Sequence, residues 1–315
     1  MADFKTHLTA STVVGLGYGG VAFAVGGVPL PACALGATFC GLSGMLPDID
    51  SGPGRPLREI TTFLAGLDRD TPIFWHGVGS NLLVRDGGLP GVVISATKIL
   101  RQLEQVDRYT VRAGAGLPCT QLARQCIRWK LGPSEFFAGI PGTVGGALAM
   151  NAGAHGGETW ERVASVRTID RGGEFHERSP AEYSVGYRSV TGPSDEWFIE
   201  GTFRFEPDVV PSMDTMKTML ERRKATQPLG LPSCGSVFRN PPGDHSARLI
   251  EAAGLKGYRI GGAEVSDKHA NFIINRDAAT ATDIEELIEH VRQTVLDVHG
   301  VELRHEVRIV GEVPA

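Results

Sequence analysis

Two glycine-rich loops are the parts of this sequence whose residue types and spacing could hold a ligand. The first, Gly77-Val78-Gly79-Ser80-Asn81-Leu82-Leu83, follows a predicted strand, and its glycines let backbone N–H groups point into a nest that fits phosphate oxygens. The second, Gly139-Ile140-Pro141-Gly142-Thr143-Val144-Gly145-Gly146-Ala147, is longer and could lie against a flat ring or a pyrophosphate, and Met150-Asn151-Ala152-Gly153-Ala154 continues it. Together they indicate a large phosphate-bearing cofactor. The alternative is a pair of ligand-free β-turn loops, whose glycines would weaken the strands that they interrupt.

The elements that would position these loops are strands and helices in a mixed order. Strand patterns cover residues 71–76, 91–94, 109–113, 163–169 and 197–205, and helical spacing covers residues 120–129, 213–223 and 283–299. The sequence therefore predicts an α+β protein, with a strand-rich domain followed by a smaller α+β domain.

Composition limits the class of function. A chain of 315 residues can form two or three domains. Its formal net charge of -5 argues against a nucleic-acid partner, which would require a basic face.

The five cysteines, Cys33, Cys40, Cys119, Cys126 and Cys234, are scattered and form no CxxC pair. This pattern predicts free, buried thiols in a reducing cytoplasm. Cys119 and Cys126 would share a helix face, but two soft ligands alone rarely make a metal site.

Residues 8–47 contain no charged side chain and are rich in Gly, Ala, Val and Leu. Val28-Pro29-Leu30-Pro31 would break this run into an apolar helical hairpin, which could either contact a membrane or pack as a buried helix pair. Gly15-Leu16-Gly17-Tyr18-Gly19-Gly20 has the GxGxxG spacing, but no acidic residue follows at the distance a dinucleotide site needs, so tight helix packing is favoured.

His7, Asp48 and Asp50 have the chemistry of metal ligands, although two carboxylates in a Pro-containing loop are also ordinary turn residues. The segment Lys5-Thr6-His7 to Leu46-Pro47-Asp48-Ile49-Asp50-Ser51 resembles the amino-terminal part of a family of membrane-bound metal-dependent hydrolases. The second His-rich motif of that family is missing, so we predict no metal site.

Ser51-Gly52-Pro53-Gly54-Arg55-Pro56 is a strong breaker of regular structure and marks a boundary. The predicted division is an apolar segment at 1–56, a cofactor-binding domain at 57–207 and a substrate-binding domain at 208–315.

From about residue 71 to residue 313 the motifs resemble, in order, those of the UDP-N-acetylenolpyruvoylglucosamine reductase (MurB) family. Besides the two loops, the resemblance rests on Gly186-Tyr187-Arg188-Ser189, Pro232-Ser233-Cys234-Gly235-Ser236-Val237-Phe238-Arg239-Asn240-Pro241, Leu249-Ile250-Glu251-Ala252-Ala253-Gly254-Leu255-Lys256-Gly257, Val265-Ser266-Asp267-Lys268-His269-Ala270-Asn271-Phe272 and Glu306-Val307-Arg308-Ile309-Val310-Gly311.

The resemblance implies a PCMH-like FAD-binding domain followed by a MurB C-terminal domain. It also implies a cytoplasmic activity in peptidoglycan precursor synthesis, and hence in cell-wall biogenesis and cell division. NADPH would reduce FAD, which would then reduce UDP-N-acetylglucosamine enolpyruvate to UDP-N-acetylmuramate. The residues that match the family's FAD-binding signatures are Gly77, Gly79, Ser80, Asn81, Gly139, Pro141, Gly142, Thr143, Gly145, Gly146, Asn151 and Gly153.

The resemblance assigns roles to three further residues. Ser236 matches the family's proton donor, Arg188 the arginine that pairs with the substrate carboxylate, and Glu306 an essential carboxylate. Taken alone, each would be an ordinary turn or surface residue. The candidates for binding the UDP-sugar are Tyr187, Asn240, Lys256 and His269.

The chain departs from the family pattern in front of the first loop. Thr61-Thr62-Phe63-Leu64-Ala65-Gly66 resembles an early family motif but lies too near Gly77 for the usual strand, helix and strand between them. The cofactor domain is therefore expected to be truncated at its N-terminal side. The alternative function is an inactive or impaired reductase fused to a membrane-associated, metal-dependent-hydrolase-like segment.

Overall fold

The computed structural model describes residues 55–314, and the chain divides into two compact units, residues 1–67 and 68–315. The apolar run, the GxGxxG stretch, Cys33, Cys40, His7, Asp48 and Asp50 lie outside the described residues. The expectations of a hairpin and of metal ligands therefore fall on a part of the chain that the structure does not describe.

The described part of the first unit contains one α-helix, α1 (Arg55–Ala65). Its buried residues Ile60 and Leu64 are four positions apart and so lie on one face of the helix. The Thr61-Thr62-Phe63 stretch that resembles the early family motif is helical.

The second unit mixes short strands with helices, so the predicted α+β class is confirmed. Its α-helices are α2 (Cys119–Arg128), α3 (Val144–Met150), α4 (Met213–Thr226), α5 (Ser246–Ala252) and α6 (Ala281–His299). Its strands are β1 (Ile73–His76), β2 (Leu82–Val84), β3 (Val92–Ser95), β4 (Leu103–Gln105), β5 (Thr110–Gly114), β6 (Gly153–Ala154), β7 (Gly157–Glu158), β8 (Val163–Asp170), β9 (Phe175–Arg178), β10 (Ser184–Gly186), β11 (Ser189–Thr191), β12 (Glu196–Arg204), β13 (Ser233–Ser236), β14 (Arg259–Ile260), β15 (Ala263–Val265), β16 (Phe272–Asn275) and β17 (Arg308–Val310).

A five-stranded sheet in the order β4-β5-β12-β8-β9 forms the larger layer. Strand β12 pairs antiparallel with both β5 and β8, and its buried residues Ile199, Gly201 and Phe203 alternate along the strand, as the pleat requires. Helix α2 buries Leu122, Ala123, Cys126 and Ile127 in the same hydrophobic cluster as Phe203. Ile140, Val144 and Ala147 of the second glycine-rich loop belong to the same cluster.

A four-stranded sheet in the order β13-β16-β15-β14 forms the second layer and packs against α6, which also contacts α5. Helix α6 starts at the capping box of Thr280 and Asp283 and ends at Gly300, whose φ of 65° suits glycine. Its residues Leu287, Ile288, Val291 and Val295 are buried at helical spacing in a second hydrophobic cluster.

The end of the chain returns to its first half. Strand β17 pairs in parallel with β2, and Leu83 of β2 belongs to the second hydrophobic cluster. Arg85, next to β2, forms an ion pair of 2.6 Å with Glu285 of α6. Strand β17 therefore holds the residues that precede it in sequence close to the first glycine-rich loop.

The strands and helices expected from the sequence patterns are all present, with ends shifted by a few residues. The difference lies at Val144–Met150, which the sequence suggested as a loop and which forms helix α3. Cys119, Cys126 and Cys234 are free and buried as predicted, and burial raises the pKa of Cys119 to about 12 and that of Cys234 to about 11.

In the described range, no helix has both the length and the apolar character needed to cross a membrane. Residues 55–314 also contain no group of three or more His, Cys, Asp or Glu side chains arranged to hold a metal ion.

Candidate active site

A cavity of about 730 Å³ lies where the two glycine-rich loops face the last residues of the chain. Ligand pockets commonly have this size. One wall consists of β1 and the first loop, a second of the loop from Gly139 and helix α3, and a third of Ser236, Glu306 and Arg308.

The first loop can approach the second closely because its glycines carry no side chains. A Cβ on Gly77 would lie 2.4 Å from the Thr143 hydroxyl oxygen, so any other residue at this position would force the buried Thr143 side chain to move. Gly79 has a φ of 72°, which glycine adopts at little cost, and no described residue beyond its chain neighbours lies within 4 Å of where its Cβ would be. The loop therefore presents bare backbone to the cavity.

Helix α3 has one buried apolar face and one face of small residues that lies towards the cavity. Val144, Ala147 and Leu148 are buried, whereas Gly146 and Ala149 are exposed and line the cavity. Among the described residues and outside the helix's own backbone, the Thr143 hydroxyl oxygen is the one atom within 4 Å of a Cβ on Gly146, at 3.9 Å. A flat ligand could therefore lie directly against this helix.

Asn151 supports this wall without lining the cavity, because its side chain is buried. It ends α3 with a φ of 47°, its side-chain nitrogen donates to Glu158 at 2.7 Å, and its side-chain oxygen accepts from the Trp160 N–H at 3.0 Å. These bonds fix the turn that leads into Gly153.

Arg188 and Glu306 form an ion pair inside the cavity although they are 118 positions apart in the sequence. The Arg188 Nε donates to Glu306 Oε1 at 3.1 Å, and both side chains are more than four-fifths buried. Arg188 also donates to the carbonyl oxygens of Asn151 at 3.3 Å and Gly153 at 2.9 Å. The guanidinium is thereby anchored and has two N–H groups left for a ligand.

Glu306 is positioned by backbone contacts. The Asn81 side chain donates to the Glu306 carbonyl at 3.0 Å, and the Glu306 N–H donates to Val237 at 2.8 Å. Burial raises the pKa of the Glu306 carboxyl, and the positive charges of Arg188 and Arg239 only partly oppose this shift. This carboxyl therefore holds a proton more readily than an exposed glutamate.

Ser236 ends β13 and also lines the cavity. The preceding Gly235 has a φ of 76°, and its Cβ position lies 3.2 Å from the Ser80 carbonyl oxygen. This turn brings the Ser236 hydroxyl to the same cavity as Arg188 and Glu306.

Comparison with known proteins identifies this arrangement. Residues 227–310 match the model of the UDP-N-acetylenolpyruvoylglucosamine reductase C-terminal domain, and residues 61–179 match the model of an FAD binding domain. The chain is 57% identical to the UDP-N-acetylenolpyruvoylglucosamine reductase of Alkalilimnicola ehrlichii, over 81% of this chain and 86% of that protein. The chain belongs to the UDP-N-acetylenolpyruvoylglucosamine reductase family.

Two further family members agree with this assignment. The reductase of Methylococcus capsulatus is 54% identical over 82% of this chain and 86% of that protein. The crystal structure of the MurB reductase from Thermus caldophilus has a TM-score of 0.66 and 33% identity, covering 80% of this chain and 89% of that one.

The candidates for binding the UDP-sugar are more scattered than the family motifs suggest, because none of the four lines the cavity. Tyr187 is exposed with its ring 5.1 Å from the Arg188 guanidinium carbon, and Asn240 accepts from the Ser246 N–H. Lys256 pairs with Glu251 at 2.7 Å. His269 is half-buried and burial lowers its pKa, and its buried Nδ1 has no hydrogen-bond partner in the part of the chain that the structure describes.

The structure adds residues that the sequence patterns did not single out. His155, Arg222 and Arg223 line the cavity, as do Trp75 and Trp197, whose rings stack with centroids 6.1 Å apart. The sequence could have indicated this part of the cavity only through the adjacent Arg222 and Arg223. Cations near the end of a helix are, however, common in soluble proteins.

Proposed function

We propose that the protein is an FAD-dependent reductase that uses NADPH to convert UDP-N-acetylglucosamine enolpyruvate into UDP-N-acetylmuramate, in peptidoglycan precursor synthesis. The observation that carries this proposal is the single cavity in which the small-residue face of α3 meets the Arg188–Glu306 pair and Ser236. The relatives reported above carry the name of this reductase along most of the same chain length.

The cavity wall fits a flavin. Gly79 and Gly146 leave open the space that a side chain would fill, and Gly142 and Gly153 continue the same small-residue surface. When bound, FAD would supply the hydride. The residues proposed to hold it by direct contact are Gly77, Gly79, Ser80, Asn81, Gly139, Pro141, Gly142, Thr143, Gly145, Gly146 and Gly153, with Asn151 supporting the loop from behind.

Arg188, Glu306 and Ser236 have complementary chemical tasks. Hydride addition to the alkene leaves negative charge next to the substrate carboxylate, and the free N–H groups of Arg188 are suited to that charge. The carbon that becomes carbanion-like must then receive a proton, which we assign to the Ser236 hydroxyl. A hydroxyl is a weak acid, and the raised pKa of Glu306 makes this carboxyl the neighbouring group that can retain a proton.

Tyr187, Asn240, Lys256 and His269 remain proposed contacts for the outer part of the UDP-sugar. Tyr187 is adjacent to Arg188, and Asn240 follows β13, which carries Ser236. The His269 Nδ1, which no residue within 55–314 hydrogen-bonds, is a buried polar atom to which a bound ligand could donate or from which it could accept.

We also propose the division into a cofactor domain at 57–207 and a substrate domain at 208–315, in a cytoplasmic protein. Two separate hydrophobic clusters support two domains, although Met216 of α4 packs in the first cluster and Leu83 in the second. The proposed truncation of the cofactor domain is supported by β1, which pairs only with β3 among the described strands.

The visible absorption spectrum of the purified protein tests this function. Flavin bands that bleach on addition of NADPH and return on addition of UDP-N-acetylglucosamine enolpyruvate are the expected result. A colourless protein that neither takes up added FAD nor oxidises NADPH would support the alternative of an impaired reductase.

A further inference from the structure

We propose that Asn271 is a positioning residue for the reduction, which fixes Ser236 relative to Glu306. This inference deepens the proposed function and rests on it. Asn271 directly precedes β16, is only 4% exposed and does not line the cavity. Its effect on the reaction would therefore pass through the residues that it contacts.

The side chain of Asn271 bonds both backbone groups of Phe238. The Phe238 N–H donates to Asn271 Oδ1 at 2.9 Å, and Asn271 Nδ2 donates to the Phe238 carbonyl at 2.8 Å. The Asn271 carbonyl also accepts from the Val237 N–H at 2.9 Å. Because Phe238 is buried, loss of the Asn271 side chain would leave its backbone groups in an environment that offers them little water.

The residues that Asn271 holds connect the proposed proton donor with the buried carboxyl. We call residues 237–239 the linking segment. Ser236 directly precedes this segment, at the end of β13. On the far side of the segment, the Val237 carbonyl accepts from the Glu306 N–H at 2.8 Å. The linking segment therefore contacts Asn271 and Glu306 and carries Ser236 at its start.

The linking segment pairs with the end of the chain as a short antiparallel ladder. The Arg239 N–H donates to the Arg304 carbonyl at 2.9 Å, and Phe238 lies opposite His305. In such a ladder the backbone groups of successive residues point to opposite sides. The N–H and carbonyl of Phe238 thus point away from the end of the chain, to the side where Asn271 bonds them.

The chemistry of the reduction is sensitive to this placement. The alkene takes up a hydride at one carbon and a proton from Ser236 at the other, and Glu306 is the neighbouring carboxyl that can return a proton to Ser236. Misplacement of a reacting group by about 1 Å can slow a reaction about a hundredfold. Reduction of the flavin by NADPH uses neither Ser236 nor Glu306, so it should not depend on Asn271.

Asn275, at the end of the same strand, offers a matched control. Its Oδ1 accepts from the Ala279 N–H at 2.8 Å, and its Nδ2 donates to the Ala279 carbonyl at 3.3 Å. Neither of these two residues lines the cavity. Asn275→Ala therefore removes the same kind of two-bond contact from β16 without touching the linking segment.

Stopped-flow absorbance of the FAD-loaded protein tests the positioning role. In Asn271→Ala we expect the rate at which the enolpyruvyl substrate reoxidises the reduced flavin to fall by about tenfold or more. The solvent deuterium isotope effect on this step should increase, because proton transfer becomes slower. The rate of flavin reduction by NADPH and the KM for the UDP-sugar should stay within about twofold, and Asn275→Ala should leave all four quantities within about twofold.

A second variant and a second measurement serve if Asn271→Ala does not fold. Asn271→Asp keeps the size of the side chain and the acceptor for the Phe238 N–H, so we expect a smaller loss in the reoxidation rate. Amide hydrogen exchange, followed by mass spectrometry without substrate, should become faster at residues 237–239 and at Glu306 in this variant. In Asn275→Ala the exchange at these residues should be unchanged.

Three results would overturn the positioning role of Asn271. They are equal losses in flavin reduction and reoxidation, an equal loss of reoxidation in Asn275→Ala, and an unchanged isotope effect or unchanged hydrogen exchange in the Asn271 variants. Failure of the proposed function is a separate result. An unchanged protein that does not reduce the enolpyruvyl substrate would overturn that function, whereas hydrogen exchange tests the contact of Asn271 with the linking segment without any turnover.

Discussion

At the scale of single residues, the candidate site depends on two groups whose chemistry is changed by their surroundings. Glu306 is a largely buried carboxyl with a raised pKa, paired with an arginine that donates to two backbone carbonyls. The serine hydroxyl is an ordinary group, but the turn at Gly235 places Ser236 in the same cavity. Substitution of Ser236 should therefore affect the kcat, and substitution of Glu306 should affect the pH dependence of stability.

Replacing Ser236 by alanine should lower the kcat for enolpyruvyl reduction by about a hundredfold or more, because the proton donor is lost. Stopped-flow absorbance should show that NADPH still bleaches the flavin bands at an unchanged rate. Full turnover by the S236A variant would contradict the proposed role of the hydroxyl.

The raised pKa of Glu306 predicts a pH-dependent contribution to folding. The folded protein binds this proton more tightly than the unfolded chain, so the contribution is fully present below the unfolded pKa and is lost as pH rises through the higher folded value. Between pH 7.5 and pH 4.5, the Tm of the unchanged protein should therefore rise relative to that of Glu306→Gln. A constant Tm difference across this range would show that the pKa is not raised.

At the scale of elements, helix α3 separates packing from binding on its two faces. Gly145 also lines the cavity, but its Cβ position points into the protein, 2.9 Å from the Ala115 Cβ, and its N–H donates to the Ala115 carbonyl at 2.8 Å. Gly146 faces the cavity. Adjacent glycines in one helix are thus required for different reasons.

Replacing Gly146 by alanine should raise the stability of the flavin-free protein by about 0.5–1 kcal/mol, because alanine loses less backbone entropy in a helix. The same methyl group fills the cavity wall, so the Kd for FAD should rise. Denaturant unfolding of the flavin-free protein and fluorescence titration with FAD measure the two effects. A variant that binds FAD as well as the unchanged protein would remove α3 from the flavin site.

The matched variant Gly145→Ala should change the stability of the flavin-free protein in the opposite direction. Its methyl group would press against Ala115, and overpacking of this kind costs about 1–3 kcal/mol. Denaturant unfolding should therefore show a less stable protein, and an increase in stability would mean that the helix shifts freely.

At the scale of the whole molecule, residues of the first half hold the last helix and strand in place. The Asp86 carboxylate accepts from the Ala281 and Thr282 N–H groups at 2.8 and 2.9 Å, at the start of α6. Strand β17 adds to β2 nearby, and the residues between α6 and β17 include Glu306. The site therefore depends on contacts between residues about 200 positions apart in sequence.

These hydrogen bonds lower the pKa of the Asp86 carboxyl, the largest contribution coming from the Ala281 N–H. The resulting stability is present above the unfolded pKa and is lost as pH falls through the lower folded value. Asp86→Ala should lower the Tm at pH 7. The Tm difference between the unchanged protein and this variant should shrink on acidification towards pH 3. Equal Tm values at pH 7 would show that the contact contributes nothing to stability.

The sequence by itself determined the features that local chemistry dictates. Alternating apolar residues indicated β8 and β12, helical spacing indicated α2 and α6, and glycines at fixed intervals marked the walls of the cavity. The order of the motifs also carried the family resemblance, including Arg188, Ser236 and Glu306. These signals are local, since a strand, a helix or a bare-backbone loop is encoded within a few neighbouring residues.

Only the tertiary structure decided which distant side chains meet. Parallel pairing of β17 with β2 brings the last strand of the described chain to the first loop, and no local pattern encodes that pairing. The contact between Gly139 and His155 and the hydrogen bond from Ser212 to Glu135 help to place His155, Arg222 and Arg223 at the same cavity. Likewise, Asn151 is buried behind the loop, although its motif suggested a direct contact with the cofactor. Such placements depend on long-range packing, which a sequence pattern with a period of two or 3.6 residues does not contain.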